Sequence, residues 1–249
     1  MKIVDVKFNK FNLGNRPEPW HDATFTESAL LTQSDLASAE HVLYRSHSDV
    51  LHNTSTGEID FGFCAIENAI EGTVNVVQDT LAFDSELLIQ REVVIPITMN
   101  LLVKTGSSLS DVRKVISYPH ALAQVRSFLR ENLPDADLEA ANSTAHAAHL
   151  LSESDELNAV GTSLAAEKYG LDTLAEGIED HQGNKTRFVL IARDGIPAPT
   201  GHDKTTVVVF QQSDRPGSLL AILQEFAARS INLTKLESRP TREGLGQYC

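Results

Sequence analysis

A hydroxyl beside a guanidinium is the most suggestive pair in this chain. Thr186 and Arg187 stand between the polar run Asp180-His181-Gln182-Gly183-Asn184-Lys185 and the apolar run Phe188-Val189-Leu190. Such a pair offers a donor and a positive charge, enough to hold a carboxylate and hydrogen-bond its neighbour. A surface turn opening an edge strand accounts for the same residues without a ligand. A second candidate is Phe63-Cys64-Ala65-Ile66-Glu67-Asn68-Ala69-Ile70-Glu71-Gly72, where an apolar strand runs directly into acid, amide and Gly. Glu67 and Asn68 either project into a cleft or belong to a polar turn in which Gly72 permits an unusual backbone angle, and spacing leaves both open. Three further stretches run from strand to hydroxyl to helix, at Ser117, at Ser143-Thr144 and at Thr162-Ser163. Ser and Thr are good helix caps, so each alone reads as capping. Strand ends in α/β sheets also face the ligand crevice, and free N–H groups at helix starts attract carboxylates. Their repetition favours a site for a small anion.

Other chemistry lacks its residues. His146 and His149 stand three apart without an identifiable third ligand, so no metal is expected. No Gly-rich phosphate loop follows a strand, and no nucleophile elbow or adjacent Cys and His occurs. The chain has 249 residues with 21 Lys plus Arg against 34 Asp plus Glu, a net charge of -13. That is the wrong sign for a nucleic-acid partner. Two cysteines, Cys64 and Cys249, make neither a disulfide framework nor a zinc set, which suits the reducing cytoplasm. The first residues alternate apolar and charged, and no run approaches ~18 apolar residues, so neither secretion nor membrane spanning is expected.

The elements that must position these residues are short. Strands are expected at 3–8, 42–45, 62–66, 87–103 (two strands), 112–117, 138–141, 159–162 and 187–192, from their β-branched runs. Leu122, Val125 and Leu129 repeat at helical spacing, as do Val74, Val77 and Leu81. Alternating strands and helices imply an α/β architecture with mainly parallel pairing, and the fresh run of strand and helix units after the apolar segment 91–103 suggests a division into two lobes. Pro and Gly then cluster over 194–203, the composition of a linker. Beyond it come a strand (205–211), a helix from Pro216-Gly217, a second strand from Ile231 and the start of a third at 246–249. A domain seldom stops in mid-strand, so the sequence is expected to continue past Cys249.

In this order the segments resemble prephenate dehydratase. The matching pieces are Ala23-Thr24-Phe25-Thr26-Glu27, Ile66-Glu67-Asn68 with Gly72, Ser117 through Gln124, Asn142-Ser143-Thr144-Ala145 and Asn184-Lys185-Thr186-Arg187-Phe188. Past the linker, Arg215 through Leu220 and Asn232 through Pro240 resemble the ACT regulatory domain that follows in this family. The resemblance implies a two-lobed catalytic domain of the periplasmic-binding-protein type (type 2) over 1–193. It implies a linker over 194–203 and an incomplete ferredoxin-like α+β ACT domain over 204–249. The implied activity is that of a lyase converting prephenate to phenylpyruvate without a cofactor, in L-phenylalanine biosynthesis. Carried over by position, Thr186 donates to the leaving hydroxyl, while Asn68, Ser117 and Gln124 hydrogen-bond the substrate. Thr24, Glu67, Ser143, Thr144 and Arg187 shape or charge the pocket. Gly217, Ser218, Leu219 and Leu220, with Glu237, Ser238, Arg239 and Pro240, would enclose L-phenylalanine at a subunit interface of a homodimer or homotetramer.

Departures from the family pattern are an insertion over 14–22, Ala23 for Gly, Ala69 for a hydroxyl residue, Tyr118 for His and His120 for Gln. Two other readings stand beside this one. The chain could be another enzyme of the pathway, either a prephenate decarboxylase that does not aromatise its product or a partner fused to a chorismate mutase. It could also be a non-catalytic amino-acid sensor that keeps the cleft and the ACT domain.

Overall fold

The structure is a computed structural model that describes residues 23–249 except Arg45, 212–214, Glu243, Leu245 and Gly246. The strand expected at 3–8 and the insertion at 14–22 lie outside the described residues. Two sheets organise the described residues up to Ala192. The first has the order β2-β1-β9-β3, from β1 (Gly62–Asn68), β2 (Gly72–Thr73), β3 (Leu88–Pro96) and β9 (Lys185–Ala192). The second has the order β6-β5-β7-β4-β8, from β4 (Asn100–Val103), β5 (Lys114–Ser117), β6 (Asp137–Ala140), β7 (Asn158–Gly161) and β8 (Asp172–Ala175).

β9 is a central strand, paired with β1 on one side and β3 on the other. Its sequence is apolar at successive positions because both faces are covered. Phe188 and Leu190 pack with Phe63, Val93 and Ala29, on the face carrying α1 (Phe25–Leu31) and α2 (Ser34–Ala37). Val189 and Ile191 pack with Cys64, Ile66, Leu51 and Val77, on the face carrying α3 (His47–Thr56) and α4 (Asn75–Asp79). The second sheet splits the same way. Leu101, Val115 and Val160 face α5 (Pro119–Gln124) and α6 (Arg126–Asn132). Leu102, Ile116 and Ala159 face α7 (Thr144–Glu153) and α8 (Ser163–Tyr169).

The chain passes between the sheets twice, at 97–99 and at 176–184, and the two passages are bonded together. Ile97 N–H donates to the Asn184 carbonyl, Ile178 N–H to the Met99 carbonyl and Met99 N–H to the Glu179 carboxylate, each at 2.9 Å.

Several expectations need correction. Pairing is mainly antiparallel: only β5 with β6 and β5 with β7 run parallel. Hydrophobic period does not encode strand direction, and here β9 returns from the other lobe to lie against both β1 and β3. No strand forms over His41–Tyr44, where Val42 and Leu43 stay exposed. The helix through Leu122, Val125 and Leu129 is broken at Val125 into α5 and α6. That through Val74, Val77 and Leu81 ends in a π-helical turn, Thr80–Asp84.

Beyond the linker, α9 (Ser218–Ala228) forms as expected, after Gly217 at φ 87°. The strands expected at 205–211 and from 231 do not form. A strand needs a ladder partner, and among the described residues of this segment the one bridge is Pro240 to Tyr248. The segment instead docks on the first lobe through charge. Arg239 clasps Asp79 with two hydrogen bonds of 2.8 Å, and Arg242 reaches Asp84 at 2.9 Å.

The Arg239 hydrogen bond, ahead of that from Arg242, holds the Asp79 carboxyl below its ordinary value. A depressed carboxyl pKa stabilises the docked form above the ordinary value of about 3.9, and the gain is lost as pH falls through the lowered value. Amide hydrogen exchange over 235–242 is therefore expected to stay constant from about pH 8 to pH 5 and to accelerate only below about pH 4, after correction for the intrinsic pH dependence of exchange. Release near pH 6 would assign the docking to a histidine instead.

Candidate active site

Strands β1 and β9 end side by side, with Asn68 opposite Thr186. At that end the Asn68 side-chain oxygen accepts from the N–H groups of Ile70 and Glu71, both at 2.9 Å, turning the chain toward β2. With its oxygen so engaged, the amide must present Nδ2 to the cleft side. Nδ2 donates to Thr186 Oγ1 at 2.8 Å and to Asn184 Oδ1 at 2.9 Å. Asn184 Nδ2 donates in turn to Gln124 Oε1 at 3.0 Å, and Gln124 Nε2 to Glu71 Oε1 at 3.1 Å. His120 Nδ1 lies 3.0 Å from the other Glu71 oxygen. Asn184, Thr186 and Gln124 are buried. Gln124 and His120 belong to α5 of the second lobe, so the chain of amides crosses the junction of the two lobes.

The three strand-to-helix junctions are also brought together. β6, β5 and β7 are adjacent and parallel, so their C-terminal ends, and the starts of α5, α7 and α8, share one edge of the second sheet. Their hydroxyls are engaged by the protein. Ser117, fully buried, donates to the Val160 carbonyl at 2.6 Å. Ser143 caps α7 through His146 N–H, with Thr144 buried in the first turn. Thr162 caps α8 and donates to the Ala23 carbonyl at 3.0 Å. Thr24 caps α1 through Glu27 N–H. Ala23, fully buried at φ 74°, occupies the left-handed region that favours Gly, held by Thr162 and by its own N–H to the Glu27 carboxylate. What this edge offers an anion is backbone N–H groups rather than side-chain hydroxyls.

Thr186 and Arg187 do not act as a pair. Successive strand residues point to opposite faces, so Arg187 and Glu67 lie on the face turned away from Thr186 and Asn68. The Arg187 guanidinium sits between Glu67 (3.4 Å) and Glu92 (3.1 Å), and Lys235 reaches Glu67 at 2.9 Å. Glu67 and Arg187, expected to shape or charge the pocket, stand here between the sheet and the C-terminal segment. Of the remaining candidates, Glu237 accepts from Thr73 at 2.7 Å and Arg239 holds Asp79. Ser238 is exposed and Pro240 pairs with Tyr248. Gly217 and Ser218 begin α9, and Leu219 and Leu220 are exposed.

Asn184 and Glu71 escaped the sequence-based list. Asn184 lies two residues before Thr186, and period-two alternation alone would have put both on one face. No comparable signal marks Glu71, which enters through its bond to Gln124 across the lobes. Burial pushes the Cys64 thiol up to about 12, so it is no nucleophile. Among the described residues, no group of three or more His, Cys, Asp or Glu is placed to hold a metal ion, and no helix is long and apolar enough to cross a membrane.

Two α/β lobes joined by two passages, with a polar network at their junction, define a protein of the type 2 periplasmic-binding-protein class. The prephenate dehydratase family model matches residues 21–196 and the ACT domain model residues 205–248. The chain belongs to the prephenate dehydratase family. It is 41% identical to a prephenate dehydratase of Mycobacteroides abscessus over 234 residues, covering 91% of this chain and 76% of that one. A crystal structure of prephenate dehydratase from Arthrobacter aurescens in complex with L-Phe superposes with a TM-score of 0.82 at 39% identity, over 91% of this chain and 76% of that one. The Staphylococcus aureus prephenate dehydratase superposes at 0.75 with 26% identity, over 91% and 83%.

Removing Arg187 leaves two carboxylates close together without their shared cation. Arg187→Gln is expected to lower the melting temperature while changing KM less than about twofold. A steep rise in KM at unchanged melting temperature would return the guanidinium to the substrate.

Proposed function

We propose that the junction of the lobes catalyses the decarboxylative dehydration of prephenate to phenylpyruvate. In this reading 1–193 is the catalytic unit, 194–203 the linker and 204–249 part of a regulatory ACT domain, in a cytoplasmic homodimer or homotetramer. As the ring carboxylate leaves as carbon dioxide, its bonding electrons enter the ring and expel the ring hydroxyl. The hydroxyl takes up one proton and departs as water. Aromatisation supplies the driving force, so the protein need supply only a proton donor and anchors for two carboxylates.

Thr186 is the donor. The observation that carries this is the direction of one hydrogen bond: because Asn68 Nδ2 donates to Thr186 Oγ1, the threonine oxygen is the acceptor there and its own O–H is left to donate to substrate. A threonine hydroxyl is a very weak acid, so its proton moves in concert with C–O cleavage and is replaced from solvent. Asn68, with Asn184 and Gln124 behind it, holds this geometry, and the N–H groups beginning α7, behind Ser143 and Thr144, offer a carboxylate anchor.

Incubation of the protein with prephenate, followed by phenylpyruvate absorbance in alkali, tests the activity. Thr186→Ala is expected to lower kcat by about 100-fold or more with KM within about threefold. Lost stability with near-normal turnover would leave Thr186 a structural residue.

The ACT match, together with the L-Phe complex of the Arthrobacter protein, supports L-phenylalanine as effector, held by Gly217–Leu220 and Glu237–Pro240. Coupling of about 1–3 kcal/mol between effector and substrate is expected, and linkage requires it in both directions. Calorimetry on the full-length protein checks it: phenylalanine binding indifferent to a substrate analogue would refute regulation through this domain.

A further inference from the structure

We infer that Glu71 is a positioning residue for the dehydration, acting on Thr186 through Gln124, Asn184 and Asn68. This rests on the proposed reaction and adds to it a residue outside the predicted site.

The argument is one of hydrogen-bond direction. A primary amide has a donor end and an acceptor end, so a row of amides has a polarity that must be set at its termini. At one terminus the backbone N–H groups of Ile70 and Glu71 fix the Asn68 oxygen. Asn184 and Gln124 then follow head to tail, each accepting from the amide before it and donating to the group after it. The far terminus is the Glu71 carboxylate, which only accepts. It closes the row in the same sense that the backbone opens it.

If Gln124 lost that acceptor, its amide could turn over and present Nε2 to Asn184 Nδ2, donor against donor. Asn184 would then turn as well, setting its own Nδ2 against Asn68 Nδ2. The hydrogen bonds on Asn68 would then conflict, and Thr186 would lose its defined role as acceptor there. Glu71 has a second contact, with His120 at 3.0 Å. That pair has its histidine side chain 58% exposed and the Glu71 side chain 41% exposed, so screening leaves it little strength. The bond to buried Gln124 is the one that carries the effect.

Steady-state kinetics on prephenate, with a thermal melt for each variant, tests the inference. Glu71→Met, which removes the acceptor at similar length, is expected to lower kcat about tenfold with KM within about twofold. Glu71→Lys keeps a charged, soluble side chain yet offers donors only, and is expected to lose at least as much. Glu71→Gln can still accept from Gln124 through Oε1 and should lose less than about threefold. His120→Ala, which removes the His120–Glu71 contact and leaves the amide row intact, should stay within about twofold. Wild-type kcat in both Glu71→Met and Glu71→Lys would overturn the inference. So would a loss confined to KM, or a loss in Glu71→Gln equal to that in Glu71→Met. His120→Ala as slow as Glu71→Met would make Glu71 a latch between lobes instead. An unmutated protein that forms no phenylpyruvate would overturn the reaction itself, a result distinct from all of these.

Discussion

The return of β9 between β1 and β3 is the constraint on which the molecule turns. A strand in that place must bury both faces, so its residues are apolar in succession, and its alternation decides what each side of the first lobe can do. One face ends in Thr186, beside Asn68 and close to the second lobe. The other carries Arg187 toward the C-terminal segment. Two neighbours in sequence thus belong to separate surroundings, the row of amides on one face and the ion pairs with the C-terminal segment on the other.

That division explains what was legible in the sequence. Strands with strong apolar runs, such as 62–66 and 187–192, stand where their pattern placed them, because burial on a pleated surface is a local signature. Strand direction was not legible, since a period of two is the same in both directions. The strand expected at 42–45 failed because Val42 and Leu43 find no sheet to join. In the C-terminal segment the helix was readable from its own spacing, whereas 205–211 and the stretch from Ile231 depend on partners that no local pattern names.

At the site the same distinction holds. Asn68, Gln124 and Thr186 were found through a resemblance of motifs, and the structure brings them into one hydrogen-bonded row. Ser117, Ser143 and Thr162 were ambiguous between capping and binding because both uses demand the same residues at helix starts. Their bonds show the hydroxyls engaged by backbone, leaving the helix N–H groups as the polar surface. Arg187 was read together with Thr186 from adjacency in sequence, whereas successive side chains of a strand part to opposite faces.

The bonding of the two passages between the lobes has a mechanical consequence. Two tethers laced side by side form a ribbon that flexes easily across its thin direction and resists splaying in its plane, where hydrogen bonds would have to break. Separating the lobes in that plane would break the bond from Ile97 to Asn184 together with those at Met99. A change of length in one tether alone would shear the ribbon and shift Asn184 against Gln124, whereas an outer turn such as 104–108 stands apart from both tethers. Compliance and catalytic geometry are set by the same few residues of chain.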